Sequence, residues 1–164
     1  HGEHWTTPHP IMTEVLKAAD ILEADYGVAA DVWSVTSYKE LHRDALQVER
    51  FNRLNPDKAP RRSYAADKLK DAKGVFVAAS DYMKILPDSL ARHLPRPMVS
   101  LGTDGYGRSE AREELRDFFE VDARHIAFAT LSALADEGTF EKDALLAARN
   151  ALGIDPNKAD PYVD

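Results

Sequence analysis

Three glycines fall within eight residues at Gly102-Thr-Asp-Gly-Tyr-Gly-Arg-Ser109, between an apolar run, Pro97 to Leu101, and a helix that Ser109 is placed to cap. Gly102, Gly105 and Gly107 allow positive φ or a close approach of the backbone to another surface. A strand that hands over to a helix through such a turn directs the chain towards a βα arrangement. Asp104, Tyr106 and Arg108 then stand at the carboxyl end of that strand, where open α/β sheets gather their sites and interfaces. The segment is not a Walker loop, which needs Gly-Lys-Ser/Thr; its basic residue, Arg108, follows the last glycine. Nor is it the dinucleotide pattern G-x-G-x-x-G, since the order here is G-x-x-G-x-G. A glycine-rich turn with a purely structural role is the plain alternative.

The turn sits in a chain of 164 residues, enough for one domain with a real core. With 44% hydrophobic and 30% charged residues, the composition is that of an ordinary globular protein. No apolar run approaches the roughly 20 residues of a membrane helix, so no membrane partner is expected. A net charge of −7 argues against a nucleic-acid partner. The pair Arg61-Arg62 is too short to change that and reads as a solvated helix start. The absence of cysteine excludes disulfides, thiolate catalysis and cysteine-containing zinc sites. There is no initiator Met and no signal-peptide pattern, and the chain reads as a piece of something longer.

Residues 1–10 read as a lead-in segment, or as residues brought from outside the domain, and 11–164 as the domain. Ile11, Val15, Ala18, Ala19, Leu22 and Tyr26 fall at helical spacing, ending at Gly27. Asp31 to Ser37 has strand propensity. A helix is expected from Tyr38 to about Arg53, broken at Asn55-Pro56, then a loop over 57–62 and a short helix from Ser63 to Asp71. Gly74 to Ala79 reads as a second strand, apolar on both faces. Asp81 is expected to cap a helix to His93, with Pro87 a kink or boundary, and Met98 to Leu101 is a third strand. Helices follow from Ser109 to Phe119, from Asp122 to about Asp136, and from about Phe140 to Leu152. Strands alternating with helices predict an α/β, three-layer domain with a mostly parallel sheet. The helix holding Ile126, Ala127, Phe128, Leu131 and Leu134 is apolar nearly all round. It is either covered by another subunit or domain, or held deep in the core.

Four blocks occur in one order: Ala29-Ala-Asp-Val-Trp-Ser-Val-Thr-Ser-Tyr38, Ser80-Asp-Tyr-Met-Lys84, Val99-Ser-Leu-Gly-Thr-Asp-Gly-Tyr-Gly-Arg-Ser-Glu110 and Phe119-Glu-Val-Asp-Ala123. Together, over about residues 11 to 164, they resemble the C-terminal domain of the homodimeric, thiamine-diphosphate-dependent pyruvate dehydrogenase component (acetyl-transferring) of bacterial complexes, within the transketolase superfamily. The resemblance implies a transketolase-like C-terminal fold in a cytoplasmic oxidoreductase. The parent would decarboxylate pyruvate and acetylate the lipoyl domain of dihydrolipoyl acetyltransferase. It also implies that thiamine diphosphate and Mg²⁺ are held by the parent's other domains. This domain would supply no catalytic residue and no cofactor contact, and would pack against those domains and the homodimer partner.

Two departures stand out. Family members open this domain with an apolar strand ending Leu-Leu-Gly-Ser-Gly. Thr6, Thr7, Pro8 and Pro10 make a poor central strand, so that first strand is missing or replaced. The superfamily's cofactor motif, Gly-Asp-Gly followed by Asn, is also absent. Thr103-Asp104-Gly105 is the nearest string, and no Asn occurs between it and Asn150.

Other constellations have plainer readings. His1, His4 and His9 with Glu3 lack the fixed geometry of a metal site. His42, His93 and His125 are scattered singly on helices, as surface or interface groups. Glu110, Glu113 and Glu114 with Arg112 and Arg116 suit a helix start decorated with local ion pairs. Ser34, Ser37, Ser80 and Ser109 lie in no nucleophile motif. What remains is a cluster expected at the strand ends: Thr36, Ser37, Ser80, Asp81, Gly102, Asp104, Gly105, Tyr106, Gly107 and Arg108, serving as an interface or structural turn. The rival functions are a stand-alone, non-catalytic interaction or regulatory module of the same fold, and a flavodoxin-like binder using the Gly102–Ser109 turn for an anion.

Overall fold

The computed structural model describes residues 10–105 and 112–161. The elements run α1 (Pro10–Tyr26), α2 (Tyr38–Leu54), α3 (Tyr64–Lys68), β1 (Phe76–Ala79), α4 (Ile85–Ala91), β2 (Met98–Leu101), α5 (Arg112–Phe118), α6 (Ala123–Asp136) and α7 (Lys142–Ala151). β1 and β2 pair in parallel, Phe76 opposite Met98 and Ala79 opposite Leu101, with α4 as the crossover between them. The fold class is therefore α/β, as the alternation of elements predicts.

The sheet is smaller than expected. Two strands form among the described residues, and the one predicted over Asp31–Ser37 does not. Residues 28–36 run without regular structure, and Val32, Trp33 and Val35 are exposed, Trp33 at 61%. The physical reason is that strand propensity is realised only against a neighbour. Among the described residues no strand lies beside this segment, and β1 pairs with β2 alone. The lead-in residues 1–9, where the family's first strand would stand, lie outside the described residues.

Helix starts follow local chemistry. The Ser37 hydroxyl accepts from the Glu40 N–H, the Ser63 hydroxyl from the Ala66 N–H, and the Asp122 carboxylate from the His125 N–H. α3 stops at Lys68, short of the expected Asp71. α4 begins at Ile85 rather than at a cap on Asp81, because residues 80–83 are spent on a turn in which the Ser80 hydroxyl accepts from the Tyr82 N–H. Pro87 is tolerated inside α4 because it lies in the first turn, where its missing N–H is not needed.

α6 is the centre of the molecule. Ala123, Ile126, Ala127 and Leu131 join Ala18 and Leu22 of α1 and Ala148 of α7, with Ala79 and Leu101 of the two strands packed on the same cluster. One face of α6 is buried in this core, while Phe128, Ala129, Ala133 and Leu134 on the rest of the helix are only half-buried. A second core of Ala45, Ala65 and Leu90 binds α2, α3 and α4 into another helical layer.

One polar group is set into this core. Glu14 of α1, 7% exposed, accepts from the first N–H of α6, Ala123, at 3.1 Å and from Arg116 Nη1 at 3.0 Å. It ties α1 to the start of α6 across more than 100 residues. Among the described residues no helix is long and apolar enough to cross a membrane.

Candidate functional site at the strand ends

β1 and β2 run parallel, so their carboxyl ends deliver Ser80–Asp81 and Gly102–Asp104 to one place. There they bond to one another. The Thr103 N–H donates to the Tyr82 carbonyl at 3.0 Å, and its hydroxyl to the Asp81 carbonyl at 2.9 Å. The Asp104 carboxylate accepts from the Lys84 N–H at 3.1 and 3.3 Å, ahead of α4. Lys84 Nζ lies 4.0 Å from the same carboxylate. Ser80, 6% exposed, donates its N–H to the Leu101 carbonyl.

Gly102 is required by crowding. A Cβ there would stand 2.5 Å from the Tyr82 carbonyl oxygen and 2.9 Å from the Lys84 nitrogen, both main-chain atoms. Gly105 has φ +119°, and a Cβ on it would run into the Pro161 carbonyl. The turn is closed upon its own backbone. Around it, Tyr82, Met83, Ile85 and Leu86 are exposed, Tyr82 at 64% and Ile85 at 62%.

The structure thus gathers Ser80, Asp81, Gly102 and Asp104, with Gly105 beside the C-terminal segment. Thr36 and Ser37 are engaged differently. Ser37 caps α2 and Thr36 is exposed, and among the described residues no hydrogen bond links either to the strand ends. Tyr106, Gly107 and Arg108, like Ser109, Glu110, His1, Glu3, His4 and His9, lie outside the described residues. Thr103 and Lys84 were not foreseen as members, because a main-chain N–H partner leaves no sequence signature.

At the centre of the cluster the Asp104 carboxylate accepts an N–H beside the Lys84 ammonium, and the Thr103 hydroxyl is turned to a carbonyl.

A second polar cluster lies between α5 and α6. Asp117, Asp122 and His125 approach one another closely enough to suit a metal ion. Arg124 takes the cation's place, its Nη2 at 2.5 Å from Asp117 and 2.7 Å from Asp122, and Lys158 also bonds Asp117. Burial alone raises the Asp122 carboxyl. Hydrogen bonds from the His125 ring and N–H and from Arg124 outweigh it and hold the group far below the usual carboxylate range. His125, expected as a surface or interface group, is buried within this chain, with Nδ1 2.8 Å from Asp122 Oδ1. Its spacing, three residues past a capping Asp, was the available clue.

His42 and His93 are not solitary either, their rings standing 5.8 Å apart between α2 and α4. Burial, then Arg92 and His42, lower the His93 pKa, against the opposing pull of Glu49. Arg116, expected to pair within its own helix, reaches Glu14 instead. Glu14 itself was legible: it stands at i, i+4, i+8 with the buried Ala18 and Leu22.

The family model described as transketolase-like TK C-terminal domain matches residues 10–122. The chain is similar to the pyruvate dehydrogenase E1 component of Cupriavidus necator, 46% identical over 92% of this chain and 17% of that protein. The proteins of the same description from Pseudomonas aeruginosa and Escherichia coli are 45% and 43% identical over the same shares. The chain therefore spans about one sixth of the length of these relatives, in their C-terminal part.

Proposed function

Because the chain belongs to the transketolase-like C-terminal domain family, we propose that it is the interface-forming domain of a pyruvate dehydrogenase (acetyl-transferring) component acting as a homodimer in the bacterial cytoplasm. The parent is an oxidoreductase that decarboxylates pyruvate with thiamine diphosphate and Mg²⁺, and passes the acetyl group to the lipoyl domain of dihydrolipoyl acetyltransferase. The cofactor supplies that chemistry from outside this chain. The domain's own part is mechanical: it presses a rigid face against the remaining domains and the partner subunit, and so keeps the reacting parts in register.

The observation that carries this reading is the character of the strand ends. Their polar groups are spent on one another, while Tyr82, Met83, Ile85 and Leu86 stand uncovered around them. A face of that kind gains by being covered with protein, since burying apolar surface is favourable.

The test is Ile85→Asp in the full-length enzyme, with Arg108→Ala as a companion. Analytical ultracentrifugation is expected to show the dimer dissociation constant raised at least tenfold, with turnover per dimer retained within about twofold, as befits a residue remote from the chemistry. An unchanged dissociation constant with collapsed turnover overturns the proposal.

A further inference from the structure

Cations in this chain are unevenly partnered. Arg43, Arg92, Arg96, Arg116 and Arg124 each hold a carboxylate. Arg50, Arg53, Arg61 and Arg62 hold none among the described residues, and all four are exposed. They fall with Lys58 inside 13 residues, where Asp57 is the single acid, on a chain whose net charge is −7. This stretch keeps its positive charge free.

The same stretch is held in shape. Asn52 grips Arg61 from both sides, its Nδ2 donating to the Arg61 carbonyl at 2.9 Å and its Oδ1 accepting the Arg61 N–H at 2.8 Å. Asn55 Nδ2 donates to the Phe51 carbonyl, and Lys58 Nζ to Asn55 Oδ1. The Arg61 guanidinium lies over the Phe51 ring, 3.5 Å from its centroid. On the far side the Tyr64 N–H is fixed by Asp44 at 2.7 Å. A loop of polar, exposed residues is thereby pre-organised, which lowers the ordering cost of binding. Beside the cations stand Leu54 and Tyr64, 56% and 61% exposed. Free arginines around an exposed tyrosine are the residue types enriched at protein–protein interfaces.

We propose that the α2–α3 loop, with the end of α2, is a docking surface for an acidic polypeptide segment. The positive face complements a carboxylate-rich partner, while the rest of the chain, acidic overall, repels the same partner and orients its approach. The inference concerns this chain's own charge distribution and does not depend on the enzyme assignment.

The experiment uses the 164-residue chain and a fluorescein-labelled 20-residue peptide rich in Glu and Asp, followed by anisotropy at low and physiological salt. Three variants are compared after circular dichroism has verified their folding: R53E/R62E, K39E/K142E with the same net charge change on another exposed surface, and Asn52→Ala, which keeps every cation but releases the loop. The expected result is saturable binding by the wild type that weakens as salt rises. R53E/R62E should bind at least tenfold more weakly, Asn52→Ala several-fold more weakly, and K39E/K142E within about twofold of wild type. Equal weakening in both double variants, or no wild-type binding, overturns the proposal. So does tighter binding of a single-stranded oligonucleotide than of the peptide. Concentration-dependent self-association lost in R53E/R62E would assign the surface to a second copy and also overturn it.

Discussion

Replacing Glu14 by Ala tests how the two ends of the domain are joined. The substitution removes the carboxylate that faces Arg116 and the first N–H of α6, and leaves a guanidinium whose side chain is only 14% exposed without its partner. Breaking a buried pair from one side costs about 3–5 kcal/mol. The N–H left open adds about 1 kcal/mol. Lys17, 59% exposed, loses an ion pair worth about 0.3 kcal/mol. Partial solvent access to Arg116 screens some of this, so the net loss is about 3 kcal/mol. At roughly 2–4 °C per kcal/mol for a domain of this size, the melting temperature falls by about 6–12 °C. The assay is urea and thermal unfolding by far-ultraviolet circular dichroism, with Arg116→Ala and the double variant completing a cycle. Coupling should be about 2 kcal/mol or more, because the double variant leaves no orphaned charge. A Glu14→Ala cost below about 1 kcal/mol, or strictly additive single variants, refutes the argument that this carboxylate clamps α1 to α6.

Two further outcomes follow from the strand ends and the α5–α6 cluster. Gly102→Ala forces a methyl against the Tyr82 and Lys84 main chain, which cannot yield without moving β1 or α4, and is expected to cost about 1–3 kcal/mol in urea unfolding. A neutral result would show that the turn is loose. Asp122→Asn removes a carboxylate whose folded pKa is depressed by His125 and Arg124, so the group's contribution is complete above the ordinary carboxylate range and drains away as the pH falls below about 4. Wild type and variant should therefore differ by about 1–3 kcal/mol at pH 7 and converge at strongly acid pH. A gap that stays constant from pH 7 to pH 2 counts against the linkage.

Helices were readable from spacing and caps because those signals are local. Ser37, Ser63 and Asp122 each announce a helix that forms where they stand. The strand at 31–37 misled for a complementary reason: Val32, Trp33 and Val35 carry the right propensity, but a ladder is a property of two segments and, among the described residues, only one is there. The candidate site divides in the same way. Gly102 and Asp104 were found from the glycine pattern, whereas the N–H of Lys84 and the hydroxyl of Thr103 are invisible until β1 and β2 are set side by side. Glu14 and Arg116 lie 102 residues apart, a separation at which charge patterning along the sequence says nothing. The unpaired arginines near Arg61 looked like a short basic dipeptide. Their significance comes from counting which cations the folded chain neutralises.

Trp33, lying on the irregular segment before α2, gives the protein an unusual optical property. The chain has two indoles, and this one stands in water with the native structure intact. Its own emission should already be red-shifted and change little as the α1–α6–α7 centre melts, so this indole would understate any loss of the native state. A blue shift, conversely, would report that some surface had come to lie over residues 32 to 35, an event read without any label.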